Sequence, residues 1–346
     1  MLPFTQDQRI AFTHAGGATP DLCIVVPAHN EEANLPLLYR ELAKTLNVVD
    51  VSFTLIVVDD GSRDGTAEVV QGLAREHGNV AGLRLSRNFG HQTALSVGLS
   101  HARGRAIGVM DADLQDRPSD LLLLYRRWQE GADVVYAVRR SRREHILKRA
   151  AYRLFYRLLA RLSYIKIPLD SGDFCVMDAS FVTRLNGLPE RLRFVRGLRA
   201  WLGGVQVGVP VDRDARRTGV PTYNLTKLVR FALDGLVSFS SAPLTFAAHV
   251  GMIVSCIAGI GMLLVIAWKI MGKLPTGAGT ATIALSVLFL SGVQLLSIGI
   301  LGEYVGRIFE EVKRRPVGVV TEVLSDAPAR STGHREEATG ARARSA

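Results

Sequence analysis

Cysteine is scarce in this sequence. Its three cysteines, Cys23, Cys175 and Cys256, have no metal-site spacing, and Cys256 falls inside a long apolar run, so neither a disulfide framework nor a zinc cluster is indicated. There is no Gly-x-Gly-x-x-Gly, no Walker motif and no His/Cys cluster, which removes dehydrogenase and P-loop chemistry. The N-terminus also lacks a basic stretch leading into an apolar core. Its first apolar run begins only at Leu22 and continues as a strand pattern, so a cytoplasmic start is expected rather than a secretory signal. Residues 1–19 and 325–346 lack apolar periodicity and are expected to be disordered.

Long uncharged runs, by contrast, are present. Thr245–Trp268 and Ala281–Gly302 contain no charged residue, and each exceeds the roughly 20 residues that cross a hydrocarbon core as helix. Both are expected to be transmembrane helices (245–268 and 281–302), preceded by a juxtamembrane helix over 225–244 and followed by a cytoplasmic segment over 303–324. Lys227 and Arg230 precede the first run and Arg307, Lys313, Arg314 and Arg315 follow the second, while the intervening loop offers only Lys269 and Lys273. The positive-inside rule therefore puts both termini and the N-terminal domain in the cytoplasm, most simply at a bacterial inner membrane.

The formal charge of +10 raises a nucleic-acid partner, but the location of the charge argues for lipid. Between Arg139 and Arg161 there are nine Lys/Arg against one acid, Glu144. Arg149, Arg153, Arg157 and Arg161 recur every four residues beside Leu147, Ala151, Leu154, Leu158 and Leu162. That pattern predicts a basic amphipathic helix over 145–163, suited to an anionic bilayer surface. No nucleic-acid recognition motif accompanies it.

The first half alternates strand and helix patterns. Leu22–Pro27, Phe53–Asp59, Gly82–Ser86, Ala106–Asp111 and Asp133–Ala137 are short apolar runs, separated by helical patterns over Glu31–Leu46, Asp64–Glu76, Gly90–Ala102 and Pro118–Glu130. Such alternation predicts an α/β domain with a mostly parallel, Rossmann-like sheet, whose ligands bind beyond the carboxyl ends of the strands. Polar motifs sit at those ends: Val26-Pro-Ala-His-Asn-Glu-Glu32, Asp59-Asp-Gly-Ser-Arg-Asp-Gly-Thr66 and Asp111-Ala-Asp-Leu-Gln-Asp116. Alternate carboxylates such as Asp111 and Asp113 can converge on one divalent cation, with Gln115 as a further oxygen ligand. Asp59 and Asp60 supply acceptors for a ribose or base, and Gly61 lets the turn pass close to a ligand.

In this order, and followed by Ser171-Gly-Asp-Phe174 and two late apolar runs, the motifs resemble those of the family 2 glycosyltransferases of GT-A fold. The nearer likeness is to the polyprenyl-phosphate glycosyltransferases, a group that includes dolichyl-phosphate mannose synthases and bacterial undecaprenyl-phosphate glucosyltransferases. It covers the chain from Asp21 to Val320 and implies a GT-A domain over 20–224. It further implies that Pro27, Glu31 and Asp59 line the nucleoside pocket, while Asp111 and Asp113 handle the donor diphosphate through Mg²⁺ or Mn²⁺ with Gln115 as an additional ligand. By the same resemblance Asp173 stands near the acceptor as candidate base, and Arg139, Arg216 and Arg217 hold phosphates. Two departures stand out: Cys175 follows Gly-Asp-Phe where the family usually has Arg or an apolar residue, and Gly219-Val-Pro-Thr-Tyr223 stands where it often reads Gly-x-Ser-Lys-Tyr.

The function so implied is inverting transfer of a sugar from a nucleotide-diphosphate sugar, UDP-glucose before GDP-mannose, to a bilayer-held polyprenyl phosphate. A processive polysaccharide synthase would carry Gln-x-x-Arg-Trp and more spans, neither of which occurs. A non-catalytic nucleotide-sugar scaffold would not need Asp59, Asp111, Asp113 and Asp173 intact. A homo-oligomer stays open. All donor motifs lie in the first half, so a chain ended near Asp234 is expected to keep nucleotide binding and to lose transfer to a bilayer-held acceptor.

Overall fold

The computed structural model describes residues 19–139, 171–212, 242–271 and 279–325. The amphipathic segment 145–163, most of 225–244, Arg216, Arg217, Gly219–Tyr223 and the two terminal segments therefore lie outside the described residues. Elements run in the order β1 (Leu22–Ala28), α1 (Leu35–Asn47), β2 (Phe53–Asp59), α2 (Thr66–Glu76), β3 (Val80–Leu85), α3 (His91–His101), β4 (Ala106–Val109), α4 (Pro118–Trp128) and β5 (Val134–Arg139). They continue with β6 (Ser171–Asp178), α5 (Ala179–Asn186), α6 (Val195–Leu202), β7 (Gln206–Val211), α7 (Ala242–Ile270), α8 (Gly279–Lys313) and β8 (Val320–Leu324).

The strands form one mixed sheet in the order β7-β5-β6-β4-β1-β2-β3-β8. β1 pairs in parallel with β2 and β4, as β2 does with β3 and β5 with β7, whereas β6 runs antiparallel to β4 and β5, and β8 antiparallel to β3. Strand side chains alternate between faces, and here both faces are covered. Leu22, Ile24 and Val26 of β1 pack in one cluster with Leu35, Leu38 and Leu42 of α1, Val70 of α2 and Leu121 of α4. Cys23 and Val25 face the opposite cluster, with Leu95 and Leu99 of α3, Phe181 of α5 and Leu198 of α6. Burial on both faces explains why these strands read as continuous apolar runs.

Two elements go beyond the sequence reading. Ser171-Gly-Asp-Phe, for which the sequence analysis names no strand, begins β6, a full strand near the sheet centre. β8 lies in the 303–324 segment, after both apolar helices, and returns to the sheet by pairing with β3 and burying Leu324.

α7 and α8 are 29 and 35 residues long, and their large apolar side chains, among them Ile257, Leu263, Phe289 and Leu295, stand exposed. Among the described residues one stretch is long and apolar enough to cross a membrane, Phe289–Lys313, with a mean hydropathy of 1.3, and α7 contributes a shorter apolar run, Leu244–Ala258.

A chain ended near Asp234 would thus lack β8 and leave Val80–Leu85 as an open sheet edge, which invites edge-to-edge association. Ending the chain at Val317, which keeps both apolar helices and removes β8 with the residues on either side of it, should lower the thermal unfolding midpoint by several degrees and promote aggregation. An unchanged midpoint in detergent would mean that the strand adds nothing to the sheet.

Candidate active site

The carboxyl edge of the sheet gathers the loops after β1, β2, β3 and β4. Because β6 runs the other way, it brings its first residues to the same edge. The loops after β1 and β2 are bound to each other by side chain to backbone bonds. Asn30 N donates to Ser62 Oγ (2.9 Å), Arg63 N to Asn30 Oδ1 (2.9 Å), Glu31 N to Thr66 Oγ1 (2.9 Å) and Gly65 N to Glu32 Oε2 (2.7 Å). The last of these satisfies an N–H at the start of α2, and Asp64 Oδ1 accepts from the next, Thr66 N, at 3.1 Å.

Asp60, only 3% exposed, accepts from Phe89 N (2.7 Å) and Gly90 N (2.9 Å), which ties the loop after β2 to the entrance of α3. Gly61 makes that approach feasible. Its φ is +63°, and a Cβ there would lie 2.4 Å from the Arg87 carbonyl carbon, so any side chain would meet rigid backbone.

After β4, Asp113 Oδ1 accepts from Gln115 N (3.2 Å) and Leu114 takes φ +58°. This tight turn presents Asp111 and Asp113 to a cleft of about 330 Å³, lined also by Pro27, Glu31, Asp60 and His91. A hollow of about 400 Å³ at the opposite edge, lined by residues such as Arg105, Trp128 and Asp133, carries none of the motif residues.

His91, the first residue of α3, links two acidic groups. Its Nε2 lies 3.4 Å from Asp173 Oδ2 and 3.9 Å from Asp111 Oδ1. Asp173 also accepts from Gln92 Nε2 (2.9 Å) and faces Arg196 Nε at 3.5 Å. Desolvation favours the neutral form of Asp173, but the His91 hydrogen bond and the charges of Arg196, His91 and Arg199 outweigh it and hold the carboxyl well below the usual range. For His91, crowding by the cleft walls disfavours the imidazolium. The hydrogen bond to Asp173 and the charges of Asp111 and Asp173 more than offset this, against the opposing Arg196, and raise its pKa above 6.5. Below Asp173, Cys175 is buried in the core beside Arg199, and burial pushes its thiol pKa up. The departure from the family spelling at this position is therefore a packing residue.

The structure thus brings Pro27, Glu31, Asp111 and Asp113 to one cleft, with Asp173 reaching it through His91. Asp59 is fully buried, with Oδ1 accepting from Ser62 N (2.9 Å) and Oδ2 3.5 Å from Arg84 Nε. Gln115 is not among the residues lining the cleft. Arg139 ends β5 at the same sheet edge. Sequence reasoning missed Asp60 as the tie to α3, and also His91, Gln92 and Arg196. The signal for His91 was available, since Asn88-Phe-Gly-His91 follows β3 at the edge where the other three loops carry motifs.

Among the described residues, no group of three or more His, Cys, Asp or Glu converges as a metal-ligand set. The donor set nonetheless fits a cation of the magnesium type, which is held by one or two carboxylates together with substrate phosphates and water rather than by an all-protein cage.

Comparison with known proteins gives a consistent picture. Residues 23–185 match the family described as Glycosyl transferase family 2. An uncharacterized glycosyltransferase of Synechocystis sp. is 41% identical over 88% of this chain and 96% of its own. The prophage-derived bactoprenol glucosyl transferase of Shigella flexneri is 38% identical over 86% of this chain and 97% of its own. A prophage bactoprenol glucosyl transferase homolog of Escherichia coli is 36% identical, covering 87% and 99%.

The raised pKa of His91 fixes the sign of a pH effect. A group that binds its proton more tightly when folded stabilises the fold fully below its ordinary pKa and loses that contribution as pH rises through the raised value. The stability difference between wild type and His91→Gln, measured by thermal unfolding in EDTA, should therefore be larger at about pH 6 than at about pH 9. Equal differences would exclude an imidazolium bridge between Asp111 and Asp173.

Proposed function

The chain belongs to glycosyl transferase family 2, and from that premise we propose that it transfers a hexosyl group, with inversion, from a nucleotide-diphosphate sugar to a polyprenyl phosphate. UDP-glucose is the first donor to test and GDP-mannose the second. The observation that carries this reading is the cleft at the carboxyl edge of the sheet, lined by Asp111, Asp113 and His91, with Asp173 Oδ2 3.4 Å from His91 Nε2. Similarity over nearly the full length of relatives named bactoprenol glucosyl transferase supports the choice of acceptor and sugar.

In this reading the fold is of GT-A type. Pro27, Glu31 and, from beneath, Asp59 border the nucleoside, while Asp111 and Asp113 face the donor diphosphate. A divalent cation, Mg²⁺ or Mn²⁺, bound by these two carboxylates would offset the charge of the leaving diphosphate, and Gln115 would have to turn toward the cleft to join them. Arg139, Arg216 and Arg217 hold phosphate groups of donor and acceptor. The acceptor phosphate has a second pKa near 6 and is largely dianionic at neutral pH, so it needs alignment behind the anomeric carbon more than it needs a base. Asp173, kept ionised by His91, Gln92 and Arg196, orients this side of the site.

α7 and α8 are read as two spans that leave both ends and the catalytic domain on the cytoplasmic face. The return of β8 to the catalytic sheet favours this topology, because it requires the end of α8 to lie on the same side as the domain. The oligomeric state stays open.

Incubating the purified protein with labelled donor and undecaprenyl phosphate tests the reading. Labelled lipid phosphate supports it, long polymer would indicate a processive synthase, and no product with any donor a binding scaffold. Asp113→Asn should abolish turnover while the protein stays folded, and EDTA should do the same to wild type. Unchanged turnover in that mutant would sink the role of Asp113. Asp173→Asn should lower kcat by roughly two orders of magnitude with little change in donor affinity. A parallel loss of donor binding would instead mean that the mutation disorders the start of β6.

A further inference from the structure

α8 does not stop where the uncharged run ends. It continues as one helix from Gly279 to Lys313, 35 residues, or about 52 Å at 1.5 Å per residue, which exceeds a hydrocarbon core of about 30 Å. Its last turns therefore stand clear of the bilayer in the topology proposed above, and there they meet the catalytic domain. Glu311 accepts from Arg191 N (2.9 Å to Oε1, 3.0 Å to Oε2) and from Leu192 N (3.0 Å to Oε1). Arg191 Nη1 in turn donates to Arg315 O at 2.8 Å. A carboxylate shared by two successive backbone N–H groups is a charge-assisted grip on the chain itself, because both donors belong to the backbone.

The gripped segment leads straight to the acceptor side of the cleft. Three residues beyond Leu192, Val195 N donates to Gln92 Oε1 (2.9 Å), the same side chain whose Nε2 holds Asp173. The next residue, Arg196, faces Asp173 from the other side. One short stretch of chain thus connects the end of the membrane helix to the carboxylate assigned to the acceptor.

We propose that Glu311 is a positioning residue that fixes the height and orientation of the Asp173 side of the cleft above the bilayer, so that a phosphate held at the membrane surface meets the donor. The inference rests on the polyprenyl-phosphate reading. Glu311 touches no cleft residue, so it should matter only when the acceptor's own position is set by the membrane. A short-chain, water-soluble polyprenyl phosphate can diffuse into the site whatever the tilt of the domain. A native-length carrier in a bilayer cannot, because its effective concentration at the site depends on geometry.

The test compares wild type, Glu311→Gln and Glu311→Ala with both acceptors, together with donor binding. Glu311→Ala should lose roughly ten-fold or more in transfer to undecaprenyl phosphate in liposomes, while staying within about two-fold of wild type on the short-chain acceptor and in donor affinity. Glu311→Gln, which keeps one acceptor oxygen, should fall between. An equal loss on both acceptors, or a loss of donor binding, would make Glu311 an ordinary structural contact and overturn the proposal, as would unchanged transfer in liposomes. Hydrogen exchange at the Arg191 and Leu192 amides reads the grip without turnover. Their protection should fall in Glu311→Ala, and unchanged protection would overturn the proposal even if wild type proved inactive on both acceptors, which is how failure of the functional reading itself would be recognised.

Discussion

The carboxylate of Asp173 is the point on which the site depends. A charged group taken out of water costs several kcal/mol unless it is paired and hydrogen-bonded, and Asp173 meets that requirement from three directions. β6 supplies the carboxylate, α3 supplies His91 and Gln92, and α6 supplies Arg196. None of these groups would hold its place alone, and the satisfaction of Asp173 fixes how the three elements meet. Through His91 the same network reaches Asp111, so the arrangement of the cleft's two sides follows from the cost of burying one charge.

A second constraint comes from the chain's return to the sheet after its apolar helices. β8 pairs with β3, Glu322 approaches Arg84 at 3.7 Å, and Arg84 in turn faces the buried Asp59. Glu311 grips the segment that leads to Asp173. The C-terminal residues are therefore no tail on a finished catalytic domain. They touch it at Arg84, beside the buried Asp59, and at the segment that leads to Asp173, and the first of these contacts would be lost if the chain ended with α8.

How much of this was legible in the sequence follows from what makes a pattern readable. β1, β2 and the helices between them announce themselves, because strands buried on both faces form continuous apolar runs and α1 repeats Leu35, Leu38, Leu42 and Leu46 on one face. The Asp111–Asp113 and Pro27–Glu31 edges could be placed because carboxyl ends of parallel strands converge. β6 was hidden by its start, Ser-Gly-Asp, which reads as a turn, although Cys175 and Met177 then face one core and Phe174 and Val176 the other. β8 was hidden by its brevity and by Glu322 among five residues of an edge strand. For His91 the place after β3 at the carboxyl edge is legible but the partners are not, since they come from strand order, which sets the start of α3 beside an antiparallel strand about 80 residues away. A period in sequence reveals which face a residue takes, but not which distant element meets it.

The charge at the cleft bears on what the site must still acquire. Glu31, Asp60, Asp111 and Asp113 line it with His91, and both oxygens of Asp60 are taken by backbone N–H groups. Behind them Asp173 faces Arg196 at 3.5 Å, so the lining itself is rich in acidic side chains. In the function proposed above, two substrates that each bring a phosphate charge would meet repulsion at such a surface. A pair of like unit charges 4 Å apart repels by about 4 kcal/mol at an effective dielectric constant of 20, and each substrate would face several. In that reading a cation would enter such a lining before an anion. In the proposed reaction a depressed pKa at Asp173 is then no handicap, because with an acceptor phosphate already ionised the difficult step would be assembling charges of one sign rather than abstracting a proton. In the function proposed above, Arg139, which ends β5 at the carboxyl edge, would help to admit the anions that the cleft's own walls turn away.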